Sequence, residues 1–367
     1  MPAGSGTPVP GSGTASDPGT AAWYRHFGTV DAPGSSPCYA DWSVHIADDP
    51  ELIARINQWP YNKRQPLLML AAARFLGAGI SPYPKFREFL DAHWAEVSRT
   101  VLSHATQTNE VGRCATLLPS LAAIAAAEGR PLALIEVGAS AGLALFPDRY
   151  SYEFDDGGTV TRLGPARFGE RAAVPGGALS GSGSPSAPPV LRCRTAGPVP
   201  LPDTLPEVVW RAGTDLNPLD VRNPDDVAWL EALIWPEQEF RRERLRRAIA
   251  VAREDPPLLV AGDLNEQLTA LAARAPADAA LVVFHSAVMG YLSAEGRARF
   301  RTTMQGLARG RGCHWLSNEG ETVIIQEDGS AVVPEMDAQR LRGNFLLQHN
   351  GQPVAIAGPH GQSLEWL

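Results

Sequence analysis

Cysteine is scarce in this 367-residue chain: Cys38, Cys114, Cys193 and Cys313 stand singly along it. Without paired spacing they outline neither a zinc site nor a disulfide framework, so reduced, mostly structural thiols and no metal are expected. Long hydrophobic runs are also missing. No apolar run approaches the roughly 18 residues of a membrane helix, and the N-terminus lacks the basic-then-apolar order of a signal peptide. The expectation is a cytoplasmic protein with no membrane partner. Basic charge is in deficit, with 32 Lys and Arg against 40 Asp and Glu and a formal charge of -8. That balance argues against a broad nucleic-acid footprint. No internal repeat is visible.

What is present is 44% hydrophobic residues over a length suited to one large or two modest domains. Residues 1–20, nearly all Gly, Ala, Ser, Thr and Pro, read as a flexible tail. From there to about residue 130 the pattern is helical. Phe86, Phe89, Leu90, Trp94, Val97 and Val101 recur at steps of three and four, as do Leu117, Leu118, Leu121 and Ile124. Asn109 and Glu110 read as a cap for the helix that ends near Gly129. The expected architecture is a helical cap over 21–130 followed by an α/β domain over 131–367.

Five apolar runs support the α/β reading: Leu132–Val137, Val208–Ala212, Leu258–Ala261, Ala280–Phe284 and His314–Leu316, separated by helical segments. Such alternation marks a mostly parallel, Rossmann-like sheet with crossover helices. The Gly-, Pro- and Ser-rich segment over about 155–206 reads as an inserted hairpin and mobile loop. Asn350-Gly351, between Phe345–His349 and Val354–Ala357, signals a C-terminal antiparallel hairpin.

The segment Glu136-Val-Gly138-Ala-Ser140-Ala-Gly142 supports two chemistries. As Glu-x-Gly-x-x-x-Gly after an apolar strand, it is the first loop of an S-adenosylmethionine (SAM) site, where backbone approaches the cofactor. As Gly-x-Ser-x-Gly it is the nucleophile elbow of a serine hydrolase, with Asp263 and His360 completing the order Ser, Asp, His. A hydrolase needs strands ahead of its elbow, and the first 130 residues read as helical. In an open α/β sheet the ligand lies beyond the carboxyl ends of the strands. Those ends offer Glu136-Val-Gly138, Asp215-Leu216-Asn217, Asp263-Leu264-Asn265 and His285-Ser286. An ionised carboxylate only accepts hydrogen bonds, so Asp215 suits ribose hydroxyls and Asp263 an adenine amino group. The cofactor set is therefore Glu136, Gly138, Ala139, Gly142, Asp215, Leu216, Asp263, Leu264 and Ser286.

Each position also has an ordinary structural use. The glycines serve any tight turn; Asp215 suits an Asx turn and Asp263 a helix cap. His285, at the end of an apolar strand, is expected to act as base or acceptor-orienting group, or else simply to shape the pocket. Trp235 and Glu237 suit an amine-bearing substrate, or a helix start favoured by the macrodipole. Asn109, Glu110 and Arg113 are expected to close over the acceptor. The arginine run Arg241–Arg247, broken by Glu243, reads as a solvated helix.

The run Ala279-Ala-Leu-Val-Val-Phe-His-Ser-Ala-Val-Met-Gly-Tyr-Leu292 resembles the fourth strand and following helix of class I SAM-dependent methyltransferases. Together with the Glu136 loop, Gly213-Thr-Asp-Leu-Asn-Pro-Leu-Asp220, Trp235-Pro-Glu-Gln238 and Trp315-Leu-Ser-Asn-Glu319, the chain from about Tyr24 to Leu367 resembles a bacterial family of unknown function common in actinobacteria. The resemblance implies a SAM-type fold and leaves the activity open. The reading from residues and resemblance together is methyl transfer from SAM to an O or N of a small molecule. A serine esterase and a non-catalytic SAM-fold protein are the alternatives.

Overall fold

The computed structural model describes residues 19–107, 109–165, 172–175, 187–325, 333 and 336–367. Most of the expected tail, and the Gly- and Ser-rich stretch 176–186 of the insertion, lie outside the described residues. The chain forms two compact units, one of residues up to Thr108 plus Arg222–Glu243, the other of Asn109–Val221 plus Arg244–Leu367.

The first unit is helical among its described residues. It contains α1 (Gly19–His26), which runs into a π turn (Phe27–Asp31), then α2 (Pro37–Ala47), α3 (Pro50–Ile56), α4 (Pro66–Phe75) and α5 (Tyr83–Ser103). Local chemistry sets the starts: Ser36 and Asp49 accept the N–H groups of Tyr39 and Leu52, and a proline opens each of α2, α3 and α4. Along α5, Phe86, Leu90, Val97 and Val101 are buried as the periodicity requires. Phe86 stacks on Trp42 with ring centroids 3.7 Å apart.

The second unit opens with α6 (Cys114–Glu128), which ends on left-handed Gly129, and β1 (Leu132–Val137). β2 (Ser151–Asp155) leads into the insertion, which supplies β3 (Thr159–Leu163), β4 (Ala172–Pro175) and β5 (Val190–Ala196), and β6 (Val208–Asp215) follows. Helix α7 (Pro224–Ala232) belongs to the first unit, where Trp229 is fully buried and donates Nε1–H to Ala105 O at 3.1 Å. The chain rejoins the second unit within α8 (Glu239–Glu254). It continues through β7 (Leu258–Ala261), α9 (Leu264–Ala272), β8 (Ala280–Ser286), α10 (Ala294–Arg311) and β9 (His314–Glu319). Short helices α11 (Glu321–Ile324) and α12 (Ala338–Leu341) precede β10 (Phe345–His349), β11 (Gln352–Ala357) and β12 (Ser363–Trp366).

The fold is mixed α/β. Among the described residues twelve strands make one sheet in the order β4-β3-β2-β5-β12-β11-β10-β9-β8-β1-β6-β7. The block β9-β8-β1-β6-β7 is parallel throughout, whereas β10, β11 and β12 add antiparallel. β1 is central and buried on both faces, hence its unbroken apolar run. Ile135, Val137, Val283, Leu268 and Phe300 share one core with α9 and α10. Asn350 (φ 51°) and Gly351 (φ 82°) form the expected hairpin turn.

Three expectations change. The insertion is no detached hairpin: β5 pairs in parallel with β12, a strand unmarked in the sequence reading, and this joins β2–β5 to the main sheet. Helix α6 packs on β5, β8 and β10 and so belongs to the sheet-bearing unit, not to a helical domain ending near 130. The stretch Val111–Glu128 is long and apolar enough, by length and composition, to cross a membrane, contrary to the expectation that no run approaches that length. It is mostly buried in the protein.

Candidate functional site

The carboxyl ends of β1, β6, β7, β8 and β9 open on one edge, and the order reverses between β1 and β8. There β1 breaks into a turn in which Gly138 (φ 72°), Ser140 (φ 50°) and Gly142 (φ 68°) are all left-handed. Such backbone holds only when its surroundings impose it. Asn109 does so from across the unit, its Nδ2 donating to Ala139 O at 2.8 Å while its Oδ1 accepts the Leu143 N–H at 3.2 Å. The residue expected to cap a helix is a brace for the glycine turn; Glu110 makes the local cap instead, accepting the Gly112 N–H at 3.0 Å.

Asp215 binds the same turn. Its Oδ2 accepts the Ser140 N–H at 2.8 Å and its Oδ1 the Asn217 N–H at 2.9 Å, which is the Asx-turn use. Leu216 beside it is 79% exposed, an unusual place for a leucine. Asp263 caps α9 by accepting the Asn265 N–H at 2.8 Å, and Leu264 packs into the core. The Ser286 hydroxyl accepts from Asn318 Nδ2 at 2.9 Å.

Glu136 is the outstanding titratable group. It is buried on β1, and its Oε2 has no hydrogen-bond partner. Burial pushes its carboxyl well above the ordinary range; the negative charge of Asp215 adds to this and Arg113 opposes it. Asn318 Oδ1 and Ser140 Oγ are likewise buried and unpartnered. Arg113 joins this edge through Nη1 to Ser286 O at 3.1 Å, with its guanidinium 5.0 Å from the Phe345 ring.

The expectation that His285 acts as a base is not met by its geometry. The ring is completely buried, with Nδ1 2.6 Å from Glu319 Oε1 while Nε2 accepts Trp315 Nε1–H at 2.9 Å. Trp315 can only donate, so Nδ1 carries the proton and both nitrogens are engaged. Glu319, which sequence reasoning passed over, also accepts the N–H groups of Val288 and Met289 at 3.0 and 3.2 Å and so ties down the loop after β8. The hydrolase triad does not assemble: Ser140 Oγ has no partner, Asp263 caps a helix and His360 faces Glu110. Trp235 and Glu237 serve the helical unit. Trp235 packs against Phe27 and Tyr39 at 5.5 and 5.9 Å, and Glu237 accepts the Cys38 N–H at 2.9 Å in the first turn of α2.

The strand-end acids, the braced glycine turn and the unpartnered buried acceptors define an α/β protein with a polar site at the carboxyl edge of its sheet. Over residues 21–366 the chain matches the family described as an uncharacterized protein conserved in bacteria (DUF2332), and it belongs to that family. No curated protein and no solved structure matches it.

Proposed function

We propose that the protein binds SAM at the β1 turn and transfers its methyl group to an O or N of a small molecule. The observation that carries this reading is Glu136 Oε2, a buried carboxylate oxygen without a partner beside the glycine turn of the central strand. Such an atom is costly unless a ligand satisfies it, and a cationic amino group matches its charge. The other residues fit the same ligand. Exposed Leu216 offers an apolar surface for a purine, and Asp215 beside it is a carboxylate of the kind that accepts ribose hydroxyls. When bound, SAM supplies an electrophilic methyl group whose leaving group is a neutral thioether. The chain's part is to orient the ligand and exclude water. The net charge of -8 favours a small acceptor over nucleic acid.

Calorimetry tests the reading. A ligand ammonium paired with Glu136 lowers the raised carboxyl pKa, so binding of SAM or S-adenosylhomocysteine releases protons at pH values between the bound and the free carboxyl pKa, seen as heats that vary with buffer ionisation enthalpy. Glu136→Gln removes that release. Absence of binding by either compound overturns the proposal. A non-catalytic protein of this fold is the second reading. It is favoured by the packing of Val288 against Gly138, which gives that glycine a use without a ligand.

A further inference from the structure

At the edge of the sheet opposite the candidate site, β9 begins at His314, β10 ends at His349 and α6 ends at Glu128. His314 bridges the other two: its Nε2 lies 3.1 Å from Glu128 Oε1 and its Nδ1 lies 3.1 Å from His349 Nε2. His349 pairs with Leu316 across the antiparallel ladder, two residues from His314, so the two rings are diagonal neighbours on one face. Just beyond His349 the hairpin tip is tied to β9. The Asn350 N–H donates to Trp315 O at 2.8 Å, and Asn350 Oδ1 accepts the Trp315 N–H at 2.9 Å.

These contacts limit how many protons the group can hold. An ionised carboxylate only accepts, so His314 Nε2 carries a hydrogen toward Glu128. The two ring nitrogens that face each other have room for one hydrogen between them. With both rings neutral, His349 donates it to His314 Nδ1. One added proton is also accommodated: His314 becomes an imidazolium beside Glu128 and donates from both nitrogens, while His349 stays neutral and accepts at Nε2. A second added proton sets the N–H groups of two cations against each other. Burial and the charge of His314 accordingly hold the His349 imidazole below its ordinary range. Hydrogen bonds from Arg130 and His314 hold the Glu128 carboxyl below its own. The neighbouring strands bring no further charge in register, since β8 presents Val282 beside His314 and β11 presents Gln352 opposite His349. The adjacent Cys313 stays a neutral thiol, because burial pushes it up to about 12.

We propose that Glu128, His314 and His349 form a pH-operated latch on the β10–β11 hairpin: with at most one added proton on the two rings the tip stays on β9, and a second proton drives the rings apart and releases it. His349 sets the sign. Its native pKa is lowered, so the closed tip binds a proton less tightly than the opened tip, where an imidazole titrates near about 6.5. Closure is complete above that value and weakens as pH falls below it. Glu128, also lowered, acts in the same sense in more acid solution: its share is complete above the ordinary carboxyl value of about 4.3 and is lost as pH falls through the native one. The latch is independent of the methyltransferase reading.

The test is native-state amide hydrogen exchange on the full chain, with each rate divided into the intrinsic rate at the same pH to give a protection factor. Between about pH 7.5 and about pH 5, on either side of the ordinary imidazole value, protection at Trp315 and Asn350 is expected to fall severalfold while that of Val283 in the core of β8 holds. His349→Gln keeps an N–H donor for His314 Nδ1 and cannot titrate, so protection of the tip is expected to stay level over the same range. His314→Gln, whose amide oxygen can accept from charged or neutral His349, serves if that variant does not fold. Three outcomes overturn the latch: tip protection in the parent that does not change with pH, a fall undiminished in the folded glutamine variant, or an equal fall at Val283, which marks global unfolding.

Discussion

His285 and Glu319 meet at 2.6 Å inside the sheet, on neighbouring strands β8 and β9, and the carboxylate that holds the ring also holds the backbone of Val288 and Met289. Both side chains are essentially without solvent exposure. The pair is therefore a buried clamp on the loop after β8. Removing the carboxylate leaves the ring N–H and two backbone N–H groups without their acceptor, at about 1–3 kcal/mol for a buried group left unsatisfied. Glu319→Ala is expected to lose that much in denaturant unfolding, and His285→Ala to destabilise through the same contact. If either variant unfolds at the parent's denaturant midpoint, the clamp has no energetic weight.

Glu136 has a pH signature. Its folded-state pKa is raised by burial, so the native state binds a proton more tightly than the unfolded chain. Its stabilising share is full below the unfolded carboxyl pKa, about 4.3. That share is lost as pH rises through the folded value. Glu136→Gln, which mimics the protonated acid, is expected to flatten this slope and to raise the ligand-free melting temperature at pH 8. A slope unchanged by the substitution contradicts the assignment.

Gly138 is constrained twice, by φ 72° and by Val288, whose Cγ2 a Cβ would strike. Gly138→Ala is expected to destabilise by at least the roughly 1–2 kcal/mol of left-handed strain. Adding Val288→Ala is expected to recover the steric part but not the backbone part. A double-mutant cycle with no coupling would remove Val288 from the explanation.

Asn109 satisfies backbone groups on both sides of the glycine turn. Asn109→Ala leaves two partners unmade and is expected to cost about 1–3 kcal/mol. The effect should be local, with faster amide exchange at Leu143 and at Ser140, whose N–H is held by Asp215. Unchanged exchange at both positions rules out the brace.

The strands β1 and β7, and the Asn350-Gly351 turn, follow from residues adjacent in sequence: apolar runs suited to a buried sheet, and a dipeptide that tolerates positive φ. The acids at the strand ends were legible for the same reason, since a strand's end is a local fact. What those acids do was not. Asp215 and Asp263 spend hydrogen-bonding capacity on the backbone, and only the folded loops reveal it. The attachment of β5 to β12, the locked tautomer of His285 and the facing of Glu110 and His360 each join residues far apart in the chain. No periodicity encodes such pairs. They arise because a sheet places strands side by side in an order set by crossovers, and because close backbone packing at Gly112 and Gly361 is selected only once the two segments meet.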